Sequence, residues 1–376
     1  MAHKLRAITI AGYKSIRHAQ VELRDINILV GANGAGKSNL VGAFGLLHDI
    51  VQERLAVHVA RRGGANSLLH LGRKVTGQMS FKLDFHPNGY EAVLAPTASD
   101  GVYFLREMCW FHRESHPTAH EKELGAGHTE SKLRAEAGIA QSVIESIESW
   151  RVFHFHDTSE SAPVKQKHEI NDNVTLRSDA ANLAAFLYRL RESGVNPSTP
   201  VAAATAPFYL ASYRQIVGAV RSVAPFFDDF ILQPDRLNQN VIQLAWRQKG
   251  SDEYFSAHAL SDGTLRFICL ATLLLQPSSD LPKAILIDEP ELGLHPFAIH
   301  QLAAMIKSAA MHTQVIISTQ SVTLMNQFQP EHVIVVDRDG GESTFRRISP
   351  EEIAQWVDDY ALGELWEKNI IGGRPR

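Results

Sequence analysis

The chain of 376 residues has little of several things, and each shortage excludes something. It has two cysteines, Cys109 and Cys269, both in apolar surroundings and neither in a CxxC pair. A disulfide framework is therefore excluded, and a reducing cytoplasm is the expected compartment. It has no apolar run near the ~20 residues that cross a bilayer. Its longest greasy stretch, "FICLATLLL", reads as a buried helix, and its start, "MAHKLRAITIAGYKSI", lacks the apolar core of a signal peptide. No membrane association is expected. It has no excess of charge: the formal net charge is −4, so there is no global basic footprint, although a local basic face still fits nucleic acid. It has no internal repeat and no sustained heptads, which excludes a long coiled coil.

What is present is a pattern of strands and helices. Residues 5–11 and 18–23 alternate like strands around the turn "GYKS". Residues 26–30 read as a nearly continuous apolar run, broken by Asn27, as expected of a strand buried on both faces. A helix follows Lys37, with Leu40, Phe44 and Leu47 at helical spacing. Residues 77–96 read as a hairpin turned by "HPNG", and 102–111 as a further strand. From about residue 113 the chain is polar and glycine-spotted, and it is expected to form an exposed insertion ending in a short helix over 139–149. "WRVFHFHDTS" returns to strand. Helices are predicted over 179–193 and 207–224, joined by the linker "SGVNPSTPVAAATAP", with strands near 228–233 and 241–247. From Leu260 onward helix and strand alternate, with strands at 284–288, 314–318 and 332–336 and a helix at 295–311. That alternation predicts an α/β fold with a parallel core.

Three motifs carry chemistry. In "INILVGANGAGKSNLVGAF" a strand breaks into a glycine-rich loop and leaves as a helix. Gly31, Gly34, Ala35 and Gly36 let the backbone wrap a phosphate, whose charge the successive N–H groups and the helix N-terminus stabilise. In this loop Lys37 is placed to bridge the β- and γ-phosphates of ATP and Ser38 to put its hydroxyl on Mg²⁺. In "AILIDEPELGLHP" a buried strand ends in two carboxylates. Asp288 suits a Mg²⁺–water contact, and Glu289, turned the other way by strand alternation, suits the general base that polarises an attacking water. In "LSDGTLRFICLATLLL" a serine, a glycine and a helix N-terminus form a second anion site without a lysine. Ser261 also reads as an ordinary N-cap.

In that order the motifs resemble the ABC-type ATPases, in the RecF, SMC and OLD-like branch. "LRAITIAGYKSIRHAQVEL" looks like that branch's opening strands, which places Lys14 beside the nucleotide. "GANGAGKSN" is similar to its phosphate loop, including Asn33 and Asn39. "LSDGT" resembles the signature, and "IDEPELGLHP" resembles the Walker B strand with its D-loop. The resemblance implies an α/β P-loop NTPase head with a mixed sheet, antiparallel N-terminal strands and a helical lid insertion. It divides the chain into an N-terminal ATPase lobe (1–112), an inserted region (113–256) and a C-terminal ATPase lobe with a tail (257–376). It also implies a homodimer sandwiching two ATP molecules, Ser261 and Gly263 of one head touching the γ-phosphate held by Lys37 of the other. Two positions depart from the family. "QVIIST" runs into Gln320 where a γ-phosphate-sensing histidine is usual, so slow hydrolysis is expected, because glutamine bonds an oxygen but carries no charge. Asp262 stands where the signature usually has glycine. The Q-loop glutamine is represented by one weak candidate, Gln78.

The tail "WVDDYALGELWEKNIIGGRPR" resembles that of RecF-like ATPases met beside a second protein, which implies a partner effector such as a nuclease or toxin and a role in phage defence or DNA processing. It is too short to hold a nuclease domain. Its stripe of Leu362, Leu365 and Trp366 reads first as core packing and second as a docking face. His112, His116, His120 and His128 lack a completing cysteine and read as solvated loop residues, not as a metal site. His154 and His156 read as a structural pair. Arg61, Arg62, Arg73 and Lys74 form the one concentrated basic patch, a solvated face or a contact for duplex DNA.

Overall fold

The computed structural model describes residues 4–112, 118–195, 200–356 and 359–374. The chain forms two units, one of Met1–Val152, Pro282–Leu286 and Gln314–Arg376, the other of Phe153–Leu281 and Ile287–Thr313.

The first unit is built on two six-stranded sheets. In the core sheet the order is Glu342–Arg347, Val333–Asp339, Ile26–Val30, Gln314–Thr319, Ala284–Asp288 and Trp150–Phe153. Ile26–Val30 runs parallel to both Gln314–Thr319 and Val333–Asp339, and Glu342–Arg347 closes the edge as an antiparallel hairpin. All five residues of Ile26–Val30 and all six of Gln314–Thr319 are buried, which is why their sequences lack alternation. The second sheet is antiparallel, in the order Ile16–Glu22, Ala7–Tyr13, Met79–Asp84, Asn88–Pro96, Val102–Phe111 and His120–Gly125. The helices Lys37–Val51 and Ile139–Glu148 carry their apolar residues into the core with both sheets, where Phe44 and Trp150 lie 4.9 Å apart between ring centroids. Burial of this kind contributes about 25 cal/mol per Å² of apolar surface.

The tail closes on the same unit. Leu362 and Leu365 of the helix Leu362–Glu367 are buried, and this helix packs on Val322–Met325. The two leucines of the stripe are thus core, and Trp366 is half-buried beside them. Gly363 N–H donates to Asn326 Oδ1 at 2.6 Å, Arg346 Nη2 to the Ile371 carbonyl at 2.8 Å, and Gly373 N–H to Asp337 Oδ2 at 2.9 Å. A Cβ at Gly373 would lie 3.6 Å from Gly31 Cα, so the tail runs against the start of the phosphate loop.

The second unit pairs the helices Leu183–Val195 and Pro200–Val223 beside an antiparallel ribbon of Phe227–Ile231, Ala245–Gln248 and Tyr254–Ser256. The helices Asp262–Leu274 and Pro296–Ala309 pack on each other and on Pro200–Val223. Among the described residues no helix is long and apolar enough to cross a membrane.

Two expectations are corrected. The linker placed at 193–207 gives way from Pro200 to helix, which continues through Pro207. The alanine-rich run "VAAATA" has strong helix propensity, and Pro200 sits at the helix start, where its missing N–H costs nothing. The polar stretch after residue 113 supplies the edge strand His120–Gly125, paired to Val102–Phe111. One face of an edge strand can be fully solvated, so its apolar signal is weak. Both cysteines are buried, and burial pushes the thiols up, to about 11 for Cys109 and about 12 for Cys269, so neither is a ready nucleophile.

Candidate functional site

The phosphate loop leaves Val30 and enters the helix Lys37–Val51 through Gly36, whose φ of 119° no L side chain adopts without strain. Lys37 is buried, and its ammonium donates to the Gly31 carbonyl at 2.6 Å and the Ala32 carbonyl at 3.1 Å. The cation is therefore fixed inside the loop. Asn33, Gly34 and Ser38 are exposed along the same loop.

Behind the loop lies a hydroxyl chain that the sequence does not disclose. Asn39 Nδ2 donates to Ser15 Oγ at 2.6 Å, Ser15 Oγ meets Ser343 Oγ at 2.6 Å, and Ser343 Oγ donates to the Ala35 carbonyl at 2.5 Å. With Ser343 donating to Ala35, the shared proton between the two serines belongs to Ser15, and every group in the chain is satisfied. A Cβ at Gly36 would stand 2.1 Å from Ser343 Oγ, so this glycine is required by both space and torsion. Arg338 adds a bond from Nη1 to the Gly34 carbonyl at 3.1 Å. At the front, Gln320 Nε2 donates to Asn33 Oδ1 at 2.7 Å, which joins the end of Gln314–Thr319 to the loop. Lys14 adopts φ 49° in the turn between the first two strands, and its ammonium lies 3.8 Å from where Gly42 would carry a Cβ. Burial, then the nearby Arg62, holds the Lys14 pKa below the ordinary lysine range. Gln78 is exposed, its carbonyl packed against Gly12.

In the second unit Ser261 is the N-cap of Asp262–Leu274 and accepts from Thr264 N–H at 3.2 Å. Asp262 is exposed in the first turn, where the helix dipole favours a negative charge. Gly263 is in close approach to the D-loop: a Cβ there would meet the Gly293 carbonyl at 2.4 Å. Arg266, one turn on, is buried and locks the same place. Its Nη1 donates to the Leu292 carbonyl, its Nε to the Phe155 carbonyl at 2.9 Å and its Nη2 to the His156 carbonyl at 3.1 Å. Burial pulls its pKa below the ordinary arginine value, and the guanidinium stays charged. Asp288 ends the strand Ala284–Asp288, and Glu289 follows with φ 42°. A left-handed glutamate stores strain of order 1–2 kcal/mol, and such outliers gather at functional positions.

The residues read as a metal-free histidine group separate. His116 lies outside the described residues. His128 is not a solvated loop residue: it is largely buried and bonds Glu107 Oε2 at 2.9 Å. No group of three or more metal-holding side chains occurs among the described residues. His154 and His156 stand side by side with ring centroids 6.4 Å apart. Arg61, Arg62, Arg73 and Lys74 are exposed.

A phosphate loop after a buried parallel strand, together with the signature helix and its D-loop, defines a P-loop ATPase head of the ABC type in the RecF, SMC and OLD-like branch. The chain belongs to the family described as "AAA domain, putative AbiEii toxin, Type IV TA system", which matches residues 26–91 and 120–326. It is similar to the Old nuclease of Escherichia phage P2, at 21% identity over 379 residues covering 94% of this chain. It spans 63% of that relative's length. In fold it is similar to an Smc head bound to the C-winged helix domain of ScpA, with TM-score 0.58, 14% identity and coverage of 94% of this chain and 99% of that one. It is equally similar to an Smc head with an extended coiled coil bound to the C-terminal domain of ScpA from Pyrococcus furiosus, with TM-score 0.58, 12% identity and coverage of 95% and 99%. These likenesses establish the α/β head with its mixed sheets.

Proposed function

We propose that this chain binds ATP at the phosphate loop, hydrolyses it slowly, and acts as an ATP-sandwiched homodimeric switch. Its nucleotide state would pass to a second protein, in phage defence or DNA processing. The observation that carries the reading is the buried Lys37 ammonium fixed inside a glycine loop at a helix N-terminus. In this reading Gly31 and residues 33–39 cradle the β- and γ-phosphates, with Lys14 beside the nucleotide. Ser38 and Asp288 offer the oxygen donors that Mg²⁺ takes, and the ion supplies charge neutralisation on the phosphate oxygens. Glu289 takes the proton of the water that attacks the γ-phosphorus as the bond to ADP breaks. Gln320 orients that water or a phosphate oxygen without adding charge, which fits slow turnover. Ser261 and Gly263 complete the site of the partner head. The phage P2 relative, of whose length this chain spans 63%, is named a nuclease, and an effector of that kind fits the second protein of this reading.

Light scattering of Glu289→Gln tests the switch. The variant is expected to double its mass in MgATP and to stay at the lower mass without nucleotide. A single mass at saturating ATP would overturn the sandwich. A second reading, direct binding of duplex DNA in RecF-like repair or replication, draws on Arg61, Arg62, Arg73 and Lys74, which are exposed and have no acidic partner among the described residues. It requires duplex DNA to stimulate hydrolysis, with an affinity that falls steeply with salt. A flat salt response removes it.

A further inference from the structure

A cavity of about 530 Å³ opens in the second unit, at the far end of the helix that Ser261 begins. Its walls are the helix Pro200–Val223, the C-terminal end of Asp262–Leu274 with the turn after it, and the C-terminal end of Pro296–Ala309. The volume lies within the range of small-molecule pockets, about 300–1,000 Å³.

The lining defines a chemistry. Phe208 stands 67% exposed at the cavity, with Tyr209 next to it. The Tyr209 ring is held in place, because its hydroxyl donates to Asp280 Oδ1 at 3.3 Å and the Arg189 guanidinium sits 5.2 Å from its centre. Leu274, Leu275 and Leu281 supply the apolar floor. Two buried polar side chains line the same space with unused hydrogen-bonding capacity. Ser212 is 7% exposed, and its hydroxyl has no hydrogen-bond partner among the described residues. Gln276 is 6% exposed and donates Nε2 to the Leu273 carbonyl at 2.7 Å, which leaves Oε1 without a partner among them. Both groups face the cavity, where a molecule that enters can pair with them. No Lys, Arg, Asp or Glu lines the cavity, and Arg189 is already paired with Asp280 at 2.5 Å. Among the described residues His312 is the one basic side chain of the lining, so a phosphate would meet no lysine or arginine there.

We infer that this cavity binds a neutral, flat, hydrogen-bonding molecule of nucleoside size, a nucleoside or free nucleobase rather than a nucleotide. Phe208 and Tyr209 offer faces for stacking, and Ser212 with Gln276 offers a donor and acceptors for the edge of the base. The position gives binding a route to the rest of the unit. Leu274 ends the helix that Ser261 begins, and Ser308 and Ala309 end the helix that starts just beyond Gly293. Packed helices shift as rigid pieces. A ligand that spreads or draws together their C-terminal ends would alter the seating of Gly263 on Gly293 about 20 Å away along the helices. That coupling rests on the ATPase reading; the binding does not.

Calorimetry on the full chain carrying Lys37→Ala separates the two. Adenosine, guanosine, cytidine and uridine are titrated, each beside its 5′-monophosphate. One nucleoside is expected to bind saturably, with its monophosphate weaker by about tenfold or more. Phe208→Ala, which removes an exposed ring and does not threaten folding, and Ser212→Ala are each expected to weaken it by about fivefold. Absence of binding by all four nucleosides overturns the inference. So does binding that neither substitution moves, or a monophosphate that binds as well as its nucleoside. A nucleoside that binds but leaves wild-type ATP turnover unchanged overturns the coupling alone.

Discussion

Replacement of Glu289 by glutamine is expected to lower ATP hydrolysis by about 10²–10⁴-fold, the usual contribution of a positioned general base. Nucleotide affinity is expected to stay within about twofold, because the variant leaves the phosphate contacts in place. Glutamine keeps the shape and hydrogen-bonding reach of glutamate, so the left-handed turn at φ 42° is retained at similar cost. What is lost is the ability to take a proton from water. Steady-state phosphate release, read beside binding of a fluorescent ATP analogue, separates the two effects. Hydrolysis at the wild-type rate would remove Glu289 from the chemistry, and loss of binding would make its role structural.

The second large effect concerns stability. Glu107 is fully buried on the strand Val102–Phe111 and accepts four hydrogen bonds: from Tyr90 Oη at 2.8 Å, Ser131 Oγ at 2.5 Å, Lys132 N–H at 2.9 Å and His128 Nε2 at 2.9 Å. It thereby pins residues 128–132 to the antiparallel sheet. Burial and the adjacent carboxylate push the Tyr90 hydroxyl well above its ordinary pKa, so it remains a donor at any working pH. Glu107→Ala strands all four donors in the interior and is expected to cost about 3–5 kcal/mol, as removal of one member of a buried charged network does. Urea unfolding followed by the fluorescence of the chain's five tryptophans, Trp110 and Trp150 among them, reports it. Glu107→Gln, which keeps the shape and two acceptor lone pairs, is expected to cost about half as much. A loss below about 1 kcal/mol for alanine would mean that the segment has other support.

The contrast between these two residues explains what could be read in advance. Glu289 follows an apolar run with an adjacent aspartate, a pattern that is weak alone and gains its meaning from the phosphate loop earlier in the chain. The phosphate loop is local, as are Ile26–Val30 and Gln314–Thr319, whose Ile28–Val30 and Val315–Ile317 apolar cores match strands buried at every position. Glu107 sits in an ordinary strand pattern, and its partners arrive from the stretch that reads as a solvated insertion. Ser15 and Ser343 are 328 residues apart, and only folding brings their hydroxyls together behind Gly36. Arg266 reads as one more residue of a greasy helix, and its three carbonyl partners come from two other segments. Long-range polar closure has no period, so neither helical nor strand spacing reports it. The helix through Pro207 escaped for the opposite reason: a strong local breaker was outvoted by the alanines around it.

The seat of Gly373 on Gly31 has a mechanical meaning. The backbone at 371–373 is fastened to Arg346 and Asp337, and it bears on the first glycine of the nucleotide loop. Polypeptide joined beyond residue 374, natural or engineered, hangs from this fastening. A pull on it is delivered to the loop's hinge before it reaches the rest of the sheet. An affinity handle placed at that end is thus a lever on the phosphate loop.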